Sequence, residues 1–143
     1  MRPKPRLSLS AADLGAIRNE AARAHPQECC GLLIGTRDAG GVTVATVIAA
    51  ANIATEPARR FEVDPKTLIA AHKAARAAGR EVIGHYHSHP GGGAVPSAHD
   101  RARAINEGEV WLIVPVEGGG AGTAAAHLFT GGHFAAMEIA VPS

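Results

Sequence analysis

Four of the eight histidines in this 143-residue chain fall within the stretch GHYHSHPGGGAVPSAHD, residues 84–100, together with two serines and an aspartate. Imidazole and carboxylate groups this close together are the donor set of a zinc centre. His85, His87 and His89 alternate, so on an extended strand all three point to one face. Alternate residues of a strand are about 6.6 Å apart and residues four apart about 13 Å, so neighbouring histidines can converge on one ion at about 2.0–2.1 Å while the outer pair cannot. The pair is therefore 85/87 or 87/89. Pro90 ends the strand and sets His87 and His89 at its C-terminal end, facing the returning segment, which favours the second pair. Asp100, one turn into a helix, is the candidate third ligand, since a helix N-terminus favours negative charge. Two histidines, one carboxylate and an open position form the catalytic zinc pattern, in which a bound water acquires a pKa near about 7. Ser97 and Asp100 are equally explained as a capping box, and a His-x-His pair also occurs on plain surfaces. Spacing alone leaves both readings open.

The elements that must hold these residues can be read from pattern. RLSLS alternates as a short strand, and Ser10 with Asp13 starts a helix from about Ala11 to Ala24. ECCGLLIGT and VTVATVIAA form a hairpin about RDAGG, and RFEV reads as another short strand. Asp64 before Pro65 opens a second helix to about Ala78, because proline suits the first helical position. EVIGHYH is the histidine strand, and Ser97 opens a third helix to about Ile105. VWLIVPV is a buried strand, and TAAAHLFT and HFAAMEIAV form a terminal hairpin about a Gly-Gly turn. The expected fold class is mixed α/β (α+β), a largely antiparallel sheet flanked by helices, in one domain over residues 1–143.

Composition narrows the function. Lys and Arg number 14 against 13 Asp and Glu, giving +1, and 3% of residues are aromatic. Neither a basic stripe nor a stacking platform for bases is present, so no nucleic-acid partner is expected. Apolar runs fall short of the roughly 20 residues of a membrane span, and MRPKPRLSLS lacks a signal-peptide core, so no membrane partner and a cytoplasmic location are expected. Cys29 and Cys30 are the two cysteines. Adjacent in sequence, they do not readily bridge, which fits a reducing compartment.

His87-Ser88-His89, seven residues, Ser97, two residues, Asp100 resembles the signature of the JAMM (MPN+) metalloprotease family. HPQECCGLLIG supplies Glu28 in the setting of that family's upstream glutamate, and FEVDP and IGHYHSHP extend the likeness along nearly the whole chain. The resemblance implies an MPN, cytidine-deaminase-like fold, with Zn2+ held by His87, His89 and Asp100 and a water as fourth ligand. It implies Glu28 as the general base that later protonates the leaving amine, and Ser97 as hydroxyl donor to the oxyanion. It further implies hydrolysis after the C-terminal Gly-Gly of a ubiquitin-like or sulfur-carrier protein, here without insertions to grip a ubiquitin chain. The tail is expected along an exposed strand edge, with the glycines of residues 91–96 keeping the groove narrow. A non-catalytic MPN-type binding module is the alternative reading. A zinc deaminase ranks behind both, since it expects a Cys-x-x-Cys that this chain lacks.

The remaining histidines carry milder expectations. His85 lines the site or the core without touching zinc, and His99 faces solvent. His25, His72, His127 and His133 need no role, and the two cysteines pack as small hydrophobes.

Overall fold

The computed structural model describes residues 4–118 and 120–142; the outermost residues of the MRPKPRLSLS segment and one glycine of the EGGGAG turn lie outside them. Along the chain run β1 (Arg6–Ser8), α1 (Ala11–Ala24), β2 (Cys30–Asp38), β3 (Gly41–Ala50), α2 (Pro65–Ala77), β4 (Glu81–Pro90), α3 (Ala98–Arg103), β5 (Val110–Glu117), β6 (Gly120–Ala121), β7 (Ala125–Thr130) and β8 (His133–Ala140). Each helix starts where its cap residue dictates. Ser10 Oγ accepts the Asp13 N–H at 3.0 Å, Asp64 accepts from Lys66 ahead of Pro65, and Ser97 caps α3. RFEV does not form a strand; Val63 alone makes a bridge, to Asn52, because the segment serves as a loop that crosses the site. The third helix stops at Arg103, two residues early.

The sheet is mixed and mostly antiparallel, with strand order β4-β2-β3-β1-β8-β7-β5-β6 and an added parallel pairing of β4 to β5. That pairing closes seven strands into a barrel-like ring. β1 joins its halves by parallel pairing to both β3 and β8. β4 is hydrogen-bonded to β2 on one side and β5 on the other, so the histidine strand itself offers no free edge to a peptide.

Alternation assigns the two faces. Leu33, Leu112, Val114 and Val116 pack with Ile17 and Ala21 of α1, whereas Leu32 and Ile34 pack against Ala71 and Ala75 of α2. Tyr86 belongs to the α1 side and lies against Gly31, where a Cβ would sit 2.2 Å from its ring, so glycine is required for that approach. The face opposite carries Cys30, Phe61, Ala104 and Trp111, and it is here that the histidines emerge. Both cysteines are free and buried, as small hydrophobes. Among the described residues no helix is long and apolar enough to cross a membrane.

Candidate metal centre

β4 projects His85, His87 and His89 to one face, and α3 brings Asp100 against the last two. His87 Nε2 lies 3.0 Å from His89 Nε2 and 3.3 Å from Asp100 Oδ2, and His89 Nε2 lies 3.0 Å from the same oxygen. Three donors bonded to one tetrahedral ion at about 2.0–2.1 Å would stand about 3.3 Å apart. The observed triangle fits that spacing. His89 is also oriented to act as a ligand, because donation of its Nδ1–H to Gly93 O at 2.8 Å leaves its Nε2 as a lone-pair donor. Gly91, at φ +71°, makes the turn that folds this loop back onto His89, a conformation that disfavours a side chain.

Asp100 is held from the other direction by the capping box. Ser97 N–H donates to Oδ2 at 2.9 Å while Ser97 Oγ accepts the Asp100 N–H at 3.1 Å. Cap and site are thus one structure, and the two explanations of Ser97 and Asp100 coincide. The Ser97 hydroxyl uses an acceptor lone pair for the cap, so its proton is available to another partner.

Glu28 lies two residues before the start of β2 and is 6% exposed. Its carboxylate lies within 4.8 Å of the nitrogens of His87 and His89, yet Oε1 has no hydrogen-bond partner among the described residues. Glu28, His87 and His89 on their own would make a three-donor group, but Asp100 is in direct contact with both imidazoles and Glu28 is not. The contact geometry therefore favours Asp100 as the carboxylate that touches an ion and leaves Glu28 beside it.

The electrostatics of Glu28, His87 and Asp100 agree. Burial pushes the Glu28 carboxyl up to about 7, reinforced by Asp100 and opposed by His89 and Arg103. Burial also holds His87 down at about 4, the neutral state a ligand needs. Burial would raise Asp100, but its contacts with the His87 and His89 imidazoles outweigh it and keep that carboxyl far below the usual range. For His89 burial is outweighed in the same way by Asp100 and by the Gly93 carbonyl, and its pKa is raised.

His85 stays out of the donor triangle, as expected. Its ring packs edge-on to Trp111 at 4.3 Å, and its Nδ1 faces Glu109 at 3.9 Å. It lines a cleft of about 750 Å³ beside the site, walled by Phe61, Leu68, Arg103 and Trp111. His99 is half-buried rather than solvent-facing. His127 has a role that its isolated position in the sequence hides: its Nε2 bonds Ala94 O at 2.9 Å and ties down the glycine loop. Two further residues of the site lie in stretches that carry the family likeness, FEVDP and His87-Ser88-His89, with no role attached to them there. They are Phe61, whose ring stacks on His87 at 4.3 Å, and Ser88, whose Oγ accepts the Cys29 N–H at 2.8 Å. The sequence makes Phe61 part of a short strand and Ser88 a signature position, and neither reading gives the contact that each makes.

Comparison with known proteins gives the family. Residues 10–127 match the model for prokaryotic homologs of the JAB domain. A desampylase of Haloferax volcanii is 40% identical over 140 residues, 95% of this chain and 96% of that protein. A probable TtuB-protein conjugate cleaving protease of Thermus thermophilus is 37% identical over 86 residues, 57% of this chain and 55% of the other. The solution structure of a protein from Desulfitobacterium hafniense superposes with a TM-score of 0.83 at 29% identity, covering 96% and 93% of the two chains. One from Salinibacter ruber gives 0.72 at 34% identity, covering 95% and 91%. The chain belongs to the prokaryotic JAB-domain family, the JAMM type that its signature resembles, and is a hydrolase of that type.

Proposed function

We propose that the protein is a zinc-dependent peptidase or isopeptidase that hydrolyses the bond after the C-terminal Gly-Gly of a ubiquitin-like or sulfur-carrier protein. In this reading one domain, residues 1–143, works in the cytoplasm, where its two buried thiols stay reduced. The observation that carries it is the donor triangle of His87, His89 and Asp100 with the Glu28 carboxylate beside it, unbonded and near neutral in pKa. A closed structural zinc site needs four protein ligands and no spare carboxylate. The names of the two curated relatives support conjugate cleavage as the reaction.

His87, His89 and Asp100 would hold the ion. When bound, zinc supplies Lewis acidity that polarises a carbonyl and acidifies a water. Glu28 takes that water's proton on its carboxylate and delivers it to the departing amine, so that amide and water become acid and amine. Ser97 donates its hydroxyl proton to the carbonyl oxygen as negative charge develops there. The Asp100 charge, fixed by the cap, stays anionic throughout.

Glycine on the acyl side follows from crowding. The donors are buried and the adjoining loop folds onto His89, with a Cβ at Gly92 only 3.3 Å from the His89 Cβ. A residue without a side chain brings its carbonyl closest to such a site. The test is to incubate the zinc-loaded protein with diglycine-tailed carriers and with carriers whose final glycine is alanine. The alanine carriers should be cleaved far more slowly, and the leaving residue should matter little. Equal rates would remove the crowding argument. Binding without cleavage would favour the non-catalytic module.

A further inference from the structure

The Glu28 side chain makes no hydrogen bond of its own among those described, so its position is inherited from its main chain. That main chain lies just before β2, where Cys29 O accepts the Ser88 N–H at 3.2 Å, and three further bonds hold it. Glu28 N–H donates to Pro57 O at 2.7 Å, Cys29 N–H donates to Ser88 Oγ at 2.8 Å, and Glu28 O accepts from Asn52 Nδ2 at 2.9 Å.

Asn52 follows β3, and both ends of its half-buried carboxamide are engaged. Oδ1 accepts the N–H groups of Ala54 and Glu62, each at 3.1 Å. Nδ2 faces carbonyls: Glu28 O, Arg60 O at 3.1 Å and Pro57 O at 3.5 Å. The partners fix the orientation, since a flipped amide would set its NH2 against two N–H groups and its oxygen against three carbonyls. Arg60 O and Glu62 N flank Phe61, so this one carboxamide brackets the residue whose ring stacks on His87. The Arg103 guanidinium lies 5.2 Å from the centre of the same ring, and Arg103 Nη1 donates to Phe61 O. Asn52 thus joins the main chain carrying the carboxylate to the main chain carrying the aromatic wall of the donor triangle.

We infer that Asn52 is a positioning residue, fixing the main chains of Glu28 and Phe61 together so that the carboxylate keeps its distance from the His87 and His89 imidazoles. This rests on the proposed role of Glu28 as base. Asn52 touches neither substrate nor ion; it acts through Glu28. Misplacement of a reacting group by about 1 Å can cost on the order of 10²-fold in rate.

The experiment uses the full-length zinc-loaded protein and a diglycine-tailed conjugate. Asn52→Ala should lower kcat by about 10- to 100-fold with KM changed by less than about twofold. Zinc content should be unchanged, and deuterium exchange at the Glu28 and Cys29 amides should quicken. Asn52→Asp keeps the acceptor for Ala54 and Glu62 but removes the donor to Glu28 O, and should show the same kcat loss even where Asn52→Ala folds poorly. In a Glu28→Gln background, Asn52→Ala should cost less than about twofold more, because groups acting as a unit are non-additive. An equal fold loss in both backgrounds, or a wild-type rate in Asn52→Asp, overturns the positioning role while leaving the base role standing. A wild-type rate in Glu28→Gln alone overturns the base role and the inference with it.

Discussion

Asp100 Oδ2 accepts the Ser97 N–H at 2.9 Å and lies 3.0 Å from His89 Nε2, so the helix cap and the donor cluster share a single oxygen. A six-residue helix is too short to hold itself in place by helix formation alone. The cap fixes its first turn, and with it the carboxylate.

Removal of a donor from the triangle should strip the metal. His87→Ala, His89→Ala and Asp100→Ala are each expected to lose most of about one bound zinc per chain, since a three-ligand site spares none. His85→Ala should retain it. Metal analysis after dialysis measures this, and loss of zinc from His85→Ala but not from His89→Ala would reverse the assignment.

Glu28→Gln preserves size and removes the proton acceptor. It should bind zinc normally and lose about 10²–10⁴-fold in turnover, the usual worth of a general base. Steady-state rates on a diglycine-tailed conjugate, with zinc content measured in parallel, check this.

Ser97→Ala removes both the cap and the oxyanion donor. The cap is worth about 1 kcal/mol of stability, read from denaturant midpoints. Loss of the donor should cost about 10²–10³-fold in kcat. Ser97→Thr keeps a hydroxyl and should restore most of both; a stable but inactive Thr variant would separate the two roles.

Much of this site was legible because its signals are local. The His-x-His alternation, Pro90 and the Ser97/Asp100 cap each act within a few residues; the strand containing the histidines formed as read, and the helix started as read but ended two residues early. The helix starts at Ser10 and Asp64 followed for the same reason. Ring closure was not legible, because the parallel pairings of β4 with β5 and of β1 with β3 and β8 join residues distant in sequence. Asn52 and Phe61 were hidden likewise. Their segment reads as a loop and a short strand, and their partners Glu28 and His87 lie 24 and 26 residues away.

Glu20 offers a pH-dependent test of the packing behind β4. Tyr86 Oη donates to its carboxylate at 2.7 Å, and burial raises the Glu20 pKa despite that bond and nearby Arg23. A carboxyl with a raised folded pKa contributes stability that is fully present below its unfolded value and is lost as pH rises through the folded value. Glu20→Gln keeps an acceptor for Tyr86 without the buried charge. It should therefore raise Tm relative to the wild type at pH 7, with the advantage vanishing below about pH 4. Thermal melts across that range check the sign.

The most direct test of conjugate cleavage at the His87, His89 and Asp100 centre is the mass of the products formed from a carrier joined through its Gly-Gly terminus to a lysine side chain. The zinc-loaded protein should release a carrier ending in Gly-Gly and an unmodified lysine, and a chelator should abolish the reaction until zinc is restored. Cleavage at another bond, or cleavage that persists unchanged in the chelator, would contradict it.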